Sequence, residues 1–138
     1  MKKRVPVSQI MSKDLITVTT NQSLYDVERL LNRHNIRHIP VVEGDRLVGV
    51  ISRSDLLRIS FADLTENEEN VEAIVYDLYT IPQVMTRVPV TVVSDATIKE
   101  VAEIFSKQSF HSMPVVDEGK LVGIVTTTDL INYLLDQY

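Results

Sequence analysis

Two short polar stretches place a hydroxyl and a carboxylate three residues apart. They are Ser52, Arg53, Ser54 and Asp55, and then Thr126, Thr127, Thr128 and Asp129. A carboxylate can accept two hydrogen bonds from a vicinal diol such as that of ribose, and the hydroxyl can reach a sugar or phosphate oxygen. If such a stretch opens a helix, free backbone N–H groups and the helix dipole also favour a phosphate. The stretches therefore predict two sites for a phosphorylated sugar.

The same spacing also has a purely structural interpretation. Ser/Thr-x-x-Asp at a helix start is a capping box, and Ser54 or Thr128 could serve as an alternative N-cap. A single occurrence would favour this interpretation. Its recurrence in register, beside a second polar patch, favours the ligand site instead, and both hypotheses stay open.

The second polar patch comes just before a Pro-Val-Val segment in each half of the chain. It consists of Arg37 and His38, and of His111 and Ser112. Cationic residues at a strand entrance could meet phosphates, although ordinary surface polarity explains them equally well. Arg37 and Arg53 lead us to expect more highly phosphorylated ligands in the first half. His111 and Thr127 favour a less charged ligand in the second, or phosphates at lower pH when His111 is protonated.

Nothing in the sequence points to catalysis or to a metal. The three histidines have no metal-ligand spacing, and the chain has no cysteine. The glycines form neither a Walker loop nor a GxGxxG turn, and no nucleophile motif is present. We therefore predict a protein that is not an enzyme and requires no cofactor.

Composition excludes further classes of protein. The 138 residues contain 14 Lys and Arg against 19 Asp and Glu, a net charge of −5, which argues against a nucleic-acid or anionic-membrane binder. No apolar run reaches the length of a membrane span, and the start of the chain lacks the apolar stretch of a signal peptide. We expect a soluble, cytoplasmic protein.

The elements that position these residues occur twice. Met11 aligns with Met85, Gly49 with Gly123, and Asp55 with Asp129 at a constant offset of 74 residues. Two copies of about 50 residues are too few for a solenoid, and each is too small to bury a large core alone. We expect two like units packed about a pseudo-twofold axis.

Each copy is predicted to run β-α-β-β-α. The segments LITV and VPVTV are typical of a strand. The spacing of Ser23 with Asp26, and of Thr97 with Glu100, predicts capping boxes for the first helices. The segments IPVV and LVGVIS, and MPVV and LVGIVT, predict hairpins. A second helix is expected near Ser54 and Thr128. Between the copies, TENEEN predicts an exposed acidic loop and residues 71–78 a connecting helix.

With these motifs the chain resembles the cystathionine-β-synthase (CBS) domain family, arranged as a tandem pair or Bateman module. The resemblance rests on IMSKDLITV and RHIPVVEGDRLVGVISRSDLL, and on VMTRVPVTV and HSMPVVDEGKLVGIVTTTDLI. It implies an α/β (α+β) fold of two CBS units packed through their sheets. The expected boundaries are repeat 1 at 1–62, an acidic loop and linker helix at 63–79, and repeat 2 at 80–138.

The resemblance also implies ligands. Such pairs bind AMP, ADP, ATP or S-adenosylmethionine, and sometimes NAD or a cyclic dinucleotide, in clefts between their units. The family's ribose-binding aspartate corresponds to Asp55 and Asp129, and its hydroxyl residue to Ser52 and Thr126. Its adenine-contacting positions correspond to Ile10, Leu15, Arg37 and His38 in the first copy, and to Val84, Pro89, His111 and Ser112 in the second.

Two functional hypotheses follow. The resemblance implies a regulatory module that binds an adenosyl ligand, forms a homodimer and signals to a separate effector protein, since the chain leaves little room for an effector domain of its own. The alternative is a dimerising scaffold that binds no nucleotide, in which the polar motifs are only helix caps.

Overall fold

A computed structural model describes residues 4–62, 76–87 and 90–138. The predicted acidic loop at 65–70 lies outside the described residues, as does most of the predicted connecting helix. Residues 76–78, at the end of that predicted helix, are helical. Among the described residues, no helix is both long enough and apolar enough to cross a membrane.

The described elements follow the order β-α-β-β-α in the first half, and the second half repeats all but the opening strand. The strands are β1 (Val18–Thr19), β2 (His38–Glu43), β3 (Arg46–Ser52), β4 (Ser112–Asp117) and β5 (Lys120–Thr126). The helices are α1 (Leu24–His34), α2 (Arg53–Ala62), α3 (Ile81–Val84), α4 (Ile98–Lys107) and α5 (Thr127–Asp136). A 3-10 turn at Val7–Gln9 takes the place in the first repeat that α3 has in the second. The predicted α/β class is thus confirmed.

Capping boxes start the first long helix of each repeat, as the sequence predicts. In α1 the Ser23 hydroxyl accepts a hydrogen bond from the Asp26 N–H at 3.2 Å, and Asp26 accepts one from the Ser23 N–H at 3.0 Å. Thr97 and Glu100 form the same reciprocal pair at α4. These bonds satisfy N–H groups that have no partner within the helix, which is why the helices begin there.

The predicted hairpins are present and nearly identical. Strand β2 pairs antiparallel with β3, and β4 with β5, each across a two-residue turn and each with one irregularity in register. Gly44 and Gly119 have φ values of +64° and +85° in these turns, a conformation that glycine adopts without strain.

The first strand of the first repeat is shorter than predicted, and residues 88 and 89 of the corresponding segment VPVTV lie outside the described residues. Only Val18 and Thr19 pair with β2, in parallel, although LITV suggested four strand residues. In the second repeat Val92 forms a single parallel bridge to Val115. Among the described residues, this parallel pairing thus involves two residues in the first repeat and one in the second.

The chain divides into two compact units that do not follow sequence order. The first-repeat unit is Ile16–Val88, and the second-repeat unit combines Met1–Leu15 with Pro89–Tyr138. Each has its own apolar core: Ile81, Val84 and Met85 join the core of the first repeat, and Val7 is buried in the core of the second. The first segment of each repeat therefore packs in the unit of the other repeat.

Candidate functional site

The first polar motif lies where β3 passes directly into α2. The Asp55 carboxylate accepts hydrogen bonds at Oδ2 from the Ser52 N–H at 2.8 Å and from the Ser52 hydroxyl at 3.0 Å. In return, Ser52 Oγ accepts a bond from the Asp55 N–H at 3.2 Å. Asp55 is buried, with 5% of its surface exposed. The structure thus brings the hydroxyl and the carboxylate together, and they form hydrogen bonds with each other.

The second motif repeats this geometry where β5 meets α5. Asp129 Oδ2 accepts a hydrogen bond from the Thr126 N–H at 2.9 Å, and Thr126 Oγ1 accepts one from the Asp129 N–H at 3.1 Å. Thr126 is the N-cap of the helix, so the alternative cap at Thr128 is wrong. Asp129 is only partly buried, unlike Asp55.

The strand-entrance patch adjoins the motif in each unit. The Arg53 N–H donates to the Arg37 carbonyl at 3.0 Å, and the Thr127 N–H donates to the His111 carbonyl at 3.0 Å. Across the hairpins His38 pairs with Ser52, and Ser112 with Thr126. These backbone bonds tie each patch to its motif because the hairpin places the start of one strand beside the end of the next.

The remaining predicted contacts are distributed differently from their order in sequence. Ile10 and Leu15 belong to the second-repeat unit, together with His111 and Ser112. Val84 belongs to the first-repeat unit, where it is buried. Pro89 lies outside the described residues. The structure therefore groups Val84, rather than Ile10 and Leu15, with Arg37 and His38.

Arg58 is a charged residue near the first motif that was not among the predicted site residues. Its Nη2 lies 2.9 Å from Asp55 Oδ1 and 3.5 Å from the carbonyl oxygen of Val84. The sequence carried a signal for it, since an arginine three residues after an aspartate on a helix lies on the same face. What the spacing alone did not show is that the carboxylate concerned is buried.

Both arrangements suit a polar organic ligand. Each joins a carboxylate, a hydroxyl and a helix start, the groups that can hold a diol and a phosphate. Within the described ranges, no three His, Cys, Asp or Glu residues lie close enough together to hold a metal ion.

Comparison with known proteins identifies the repeats. The CBS domain family model matches residues 7–62 and 80–136, which is most of the chain. The chain is 34% identical over 119 residues to the inosine-5'-monophosphate dehydrogenase of Korarchaeum cryptofilum. That match covers 86% of this chain but only 22% of the enzyme, so the chain spans about a fifth of this relative's length.

Two similar solved structures contain adenosyl ligands. One is CBSX2 in complex with AMP, with a TM-score of 0.81 and 26% identity over 96% of this chain and 98% of that chain. The other is the CBS domain pair of protein MJ0100 in complex with 5'-methylthioadenosine and S-adenosyl-L-methionine. Its TM-score is 0.77, at 30% identity over 99% of this chain and all of that one. With the family model matching both repeats, the chain belongs to the CBS domain family as a tandem pair.

Proposed function

We propose that the chain is a non-catalytic, cytoplasmic regulatory module that binds an adenosyl ligand at the Ser/Thr-x-x-Asp motifs. The candidate ligands are AMP, ADP, ATP and S-adenosylmethionine. The bound state is read by a separate effector protein, and the module acts as a homodimer. A ligand can drive such a response only if it binds two arrangements of the protein with different affinity.

The observation that carries this proposal is the ligand content of two similar structures. CBSX2 holds AMP, and the CBS pair of MJ0100 holds 5'-methylthioadenosine and S-adenosyl-L-methionine. All three ligands share an adenine and a ribose but differ in what the ribose carries. We extend this shared part to the present chain as an adenosyl site and leave the 5' substituent open.

The geometry of Asp129 supports the proposal. Its Oδ2 is used by the helix cap, and no described residue donates a hydrogen bond to its Oδ1. An ionised carboxylate oxygen without a protein donor is available to a ribose hydroxyl. The motif can therefore cap the helix and hold a ligand at the same time.

The first prediction concerns Asp129→Asn, measured by isothermal titration with AMP and with S-adenosylmethionine in an Asp55→Ala background. Asparagine keeps an oxygen that can accept the Thr126 N–H, but it replaces charge-assisted bonds to ribose with neutral ones. We expect the affinity of the second-repeat site to fall about 10- to 100-fold.

Glu100→Gln is the matched control. It removes a carboxylate from the same position of a capping box in the same unit, at α4, where no ligand is proposed. It should change the affinity less than about twofold. Equal losses in the two variants would mean that helix stability, rather than ribose contact, is being measured.

The scaffold alternative has an observation of its own in its favour. Both motifs form reciprocal cap bonds, which a purely structural role would require and which need no ligand. Binding of neither AMP nor S-adenosylmethionine to the wild-type protein would favour this alternative. We also keep the expectation that Arg37 and Arg53 give the first-repeat site the stronger preference for additional phosphates.

A further inference from the structure

The two aspartates differ in how many of their oxygens are occupied. In the first repeat, Asp55 Oδ2 accepts two hydrogen bonds from Ser52, and Oδ1 is paired with Arg58 at 2.9 Å. Only 7% of the Asp55 side chain is exposed, against 64% of the Arg58 side chain. Every oxygen of this buried carboxylate therefore already has a donor from the protein.

Among the described residues, the second repeat has no counterpart of this ion pair. Adding the 74-residue offset to position 58 gives Asn132, which is exposed. No described residue donates a hydrogen bond to Asp129 Oδ1. The two motifs cap their helices in the same way. Both oxygens of Asp55 accept hydrogen bonds, whereas only Oδ2 of Asp129 accepts one from a described residue.

We infer that Arg58 is a specificity-determining residue that competes with the ligand's ribose diol for Asp55. This inference rests on the proposed function and concerns how Arg58 affects ligand binding at the first-repeat site. The diol and the guanidinium therefore compete for the lone pairs of Oδ1, of which Arg58 already uses one. The first-repeat site therefore gains less from a ribose diol than the second-repeat site does.

The environment of Arg58 makes it a removable competitor. The Arg58 side chain is 64% exposed, so a displaced guanidinium can be hydrated, while the diol takes over hydrogen bonding to the buried carboxylate. Its Nη2 also lies 3.5 Å from the Val84 carbonyl oxygen, so the group spans the carboxylate and an adjacent backbone acceptor. Displacing the guanidinium of Arg58 makes ligand binding less favourable but does not prevent it.

The experiment compares adenosine with 2',3'-dideoxyadenosine by isothermal titration. Neither carries a phosphate, so attraction between Arg58 and a phosphate does not contribute. An Asp129→Ala background isolates the first-repeat site, and Arg58→Asn installs the residue of the second repeat. We expect adenosine to bind about two- to fivefold more tightly in Arg58→Asn, with dideoxyadenosine unchanged. The reciprocal Asn132→Arg, in an Asp55→Ala background, should weaken adenosine binding by a similar factor.

Arg29 supplies the matched control. Its Nη2 pairs with Asp26 Oδ1 at 2.7 Å, also three residues apart in the first turn of a capped helix. Arg29→Asn removes the same kind of ion pair from the same unit, away from the motif. It should leave both affinities unchanged. Arg58→Gln, which keeps more of the side chain, replaces Arg58→Asn if the latter lowers the melting temperature.

The outcomes separate this inference from the proposed function. If adenosine binds but Arg58→Asn and Arg58→Gln leave the adenosine-to-dideoxyadenosine ratio unchanged or reduce it, Arg58 does not compete for the diol and only the inference fails. If the wild-type protein binds neither adenosine nor AMP, the proposed function fails and the inference fails with it. A larger ratio of adenosine affinity to dideoxyadenosine affinity in the Arg58 variants, but not in Arg29→Asn, supports both the inference and the proposed function.

Discussion

At the scale of single residues, two strand glycines leave no room for a Cβ atom because a methionine packs against each of them. A Cβ atom built on Gly49 would lie 2.5 Å from Met85 Sδ and 2.8 Å from the backbone oxygen of Thr86. A Cβ atom on Gly123 would lie 2.5 Å from Met11 Sδ, and its other near neighbours are also atoms of Met11. The two sites thus differ in what would have to move, a backbone or a flexible side chain.

This difference predicts unequal effects of alanine. Gly49→Ala should lower the free energy of unfolding by about 1–3 kcal/mol because the Thr86 backbone is held by two hydrogen bonds to Val50. Gly123→Ala should cost less, since Met11 can change rotamer. Urea unfolding of the two variants measures the difference.

A second substitution checks the cause. Met11→Ala should offset part of the Gly123→Ala loss, whereas Met85→Ala should rescue Gly49→Ala poorly because the contact with the Thr86 oxygen persists. Equal rescue in the two units would show that the methionine alone sets the cost at both glycines.

At the scale of elements, a serine and an aspartate fasten the segment after Val92 to the end of β4. Asp117 accepts hydrogen bonds from the Ser94 hydroxyl at 2.6 Å and from the Ser94 N–H at 2.9 Å. These two hydrogen bonds hold the pKa of Asp117 below its ordinary value, and the bond from the hydroxyl has the larger effect. The connection is therefore strongest when Asp117 is ionised.

The lowered pKa predicts a pH-dependent effect of Ser94→Ala. A carboxyl group whose pKa is lower in the folded state stabilises the fold above its unfolded pKa of about 4, and this contribution is lost as the pH falls through the folded pKa. The melting-temperature difference between wild type and Ser94→Ala should thus be constant above about pH 5 and narrow on acidification.

Ser106→Ala is the control for this series. The Ser106 hydroxyl donates to the Glu103 carbonyl oxygen at 2.7 Å, a bond with no titratable partner. Its effect on the melting temperature should not change over the same pH range. A Ser94→Ala difference that persists in acid would show that Asp117 ionisation is not its source.

At the scale of the whole molecule, each compact unit is completed by the first segment of the other repeat. The Ser12 N–H donates to the Ile124 oxygen at 2.8 Å, and the Thr86 N–H donates to the Val50 oxygen at 2.9 Å, so each segment bridges to the second hairpin strand of its unit. Val7 and Ile81 stand at corresponding positions of these segments, and both are fully buried.

Hydrogen exchange on two matched variants tests this arrangement. Val7→Ala should increase exchange in α4, β4 and β5, although residue 7 belongs to the first repeat in sequence. Ile81→Ala should increase exchange in α1, β2 and β3. Each substitution should lower the free energy of unfolding by about 2 kcal/mol or more. Increased exchange of β2 and β3 in Val7→Ala would contradict the division into units.

The sequence by itself determined the features that depend on short-range interactions. The capping boxes at Ser23 and Thr97 were predictable because a cap involves residues only three positions apart, and the hairpins because turn length fixes their register. The constant offset of 74 residues predicted two equivalent motifs. Spacing could not decide whether those motifs cap a helix or bind a ligand, because both roles use the same atoms.

Only the tertiary structure decided which parts of the chain share a unit. The segments around Val7 and Ile81 are related by the repeat, so either could in principle complete either core, and chain connectivity does not choose between them. Long-range packing also decided the state of the two aspartates. The same three-residue spacing left Asp129 Oδ1 without a donor among the described residues but buried Asp55 beside Arg58, because burial and charge pairing depend on neighbours that sequence distance does not specify.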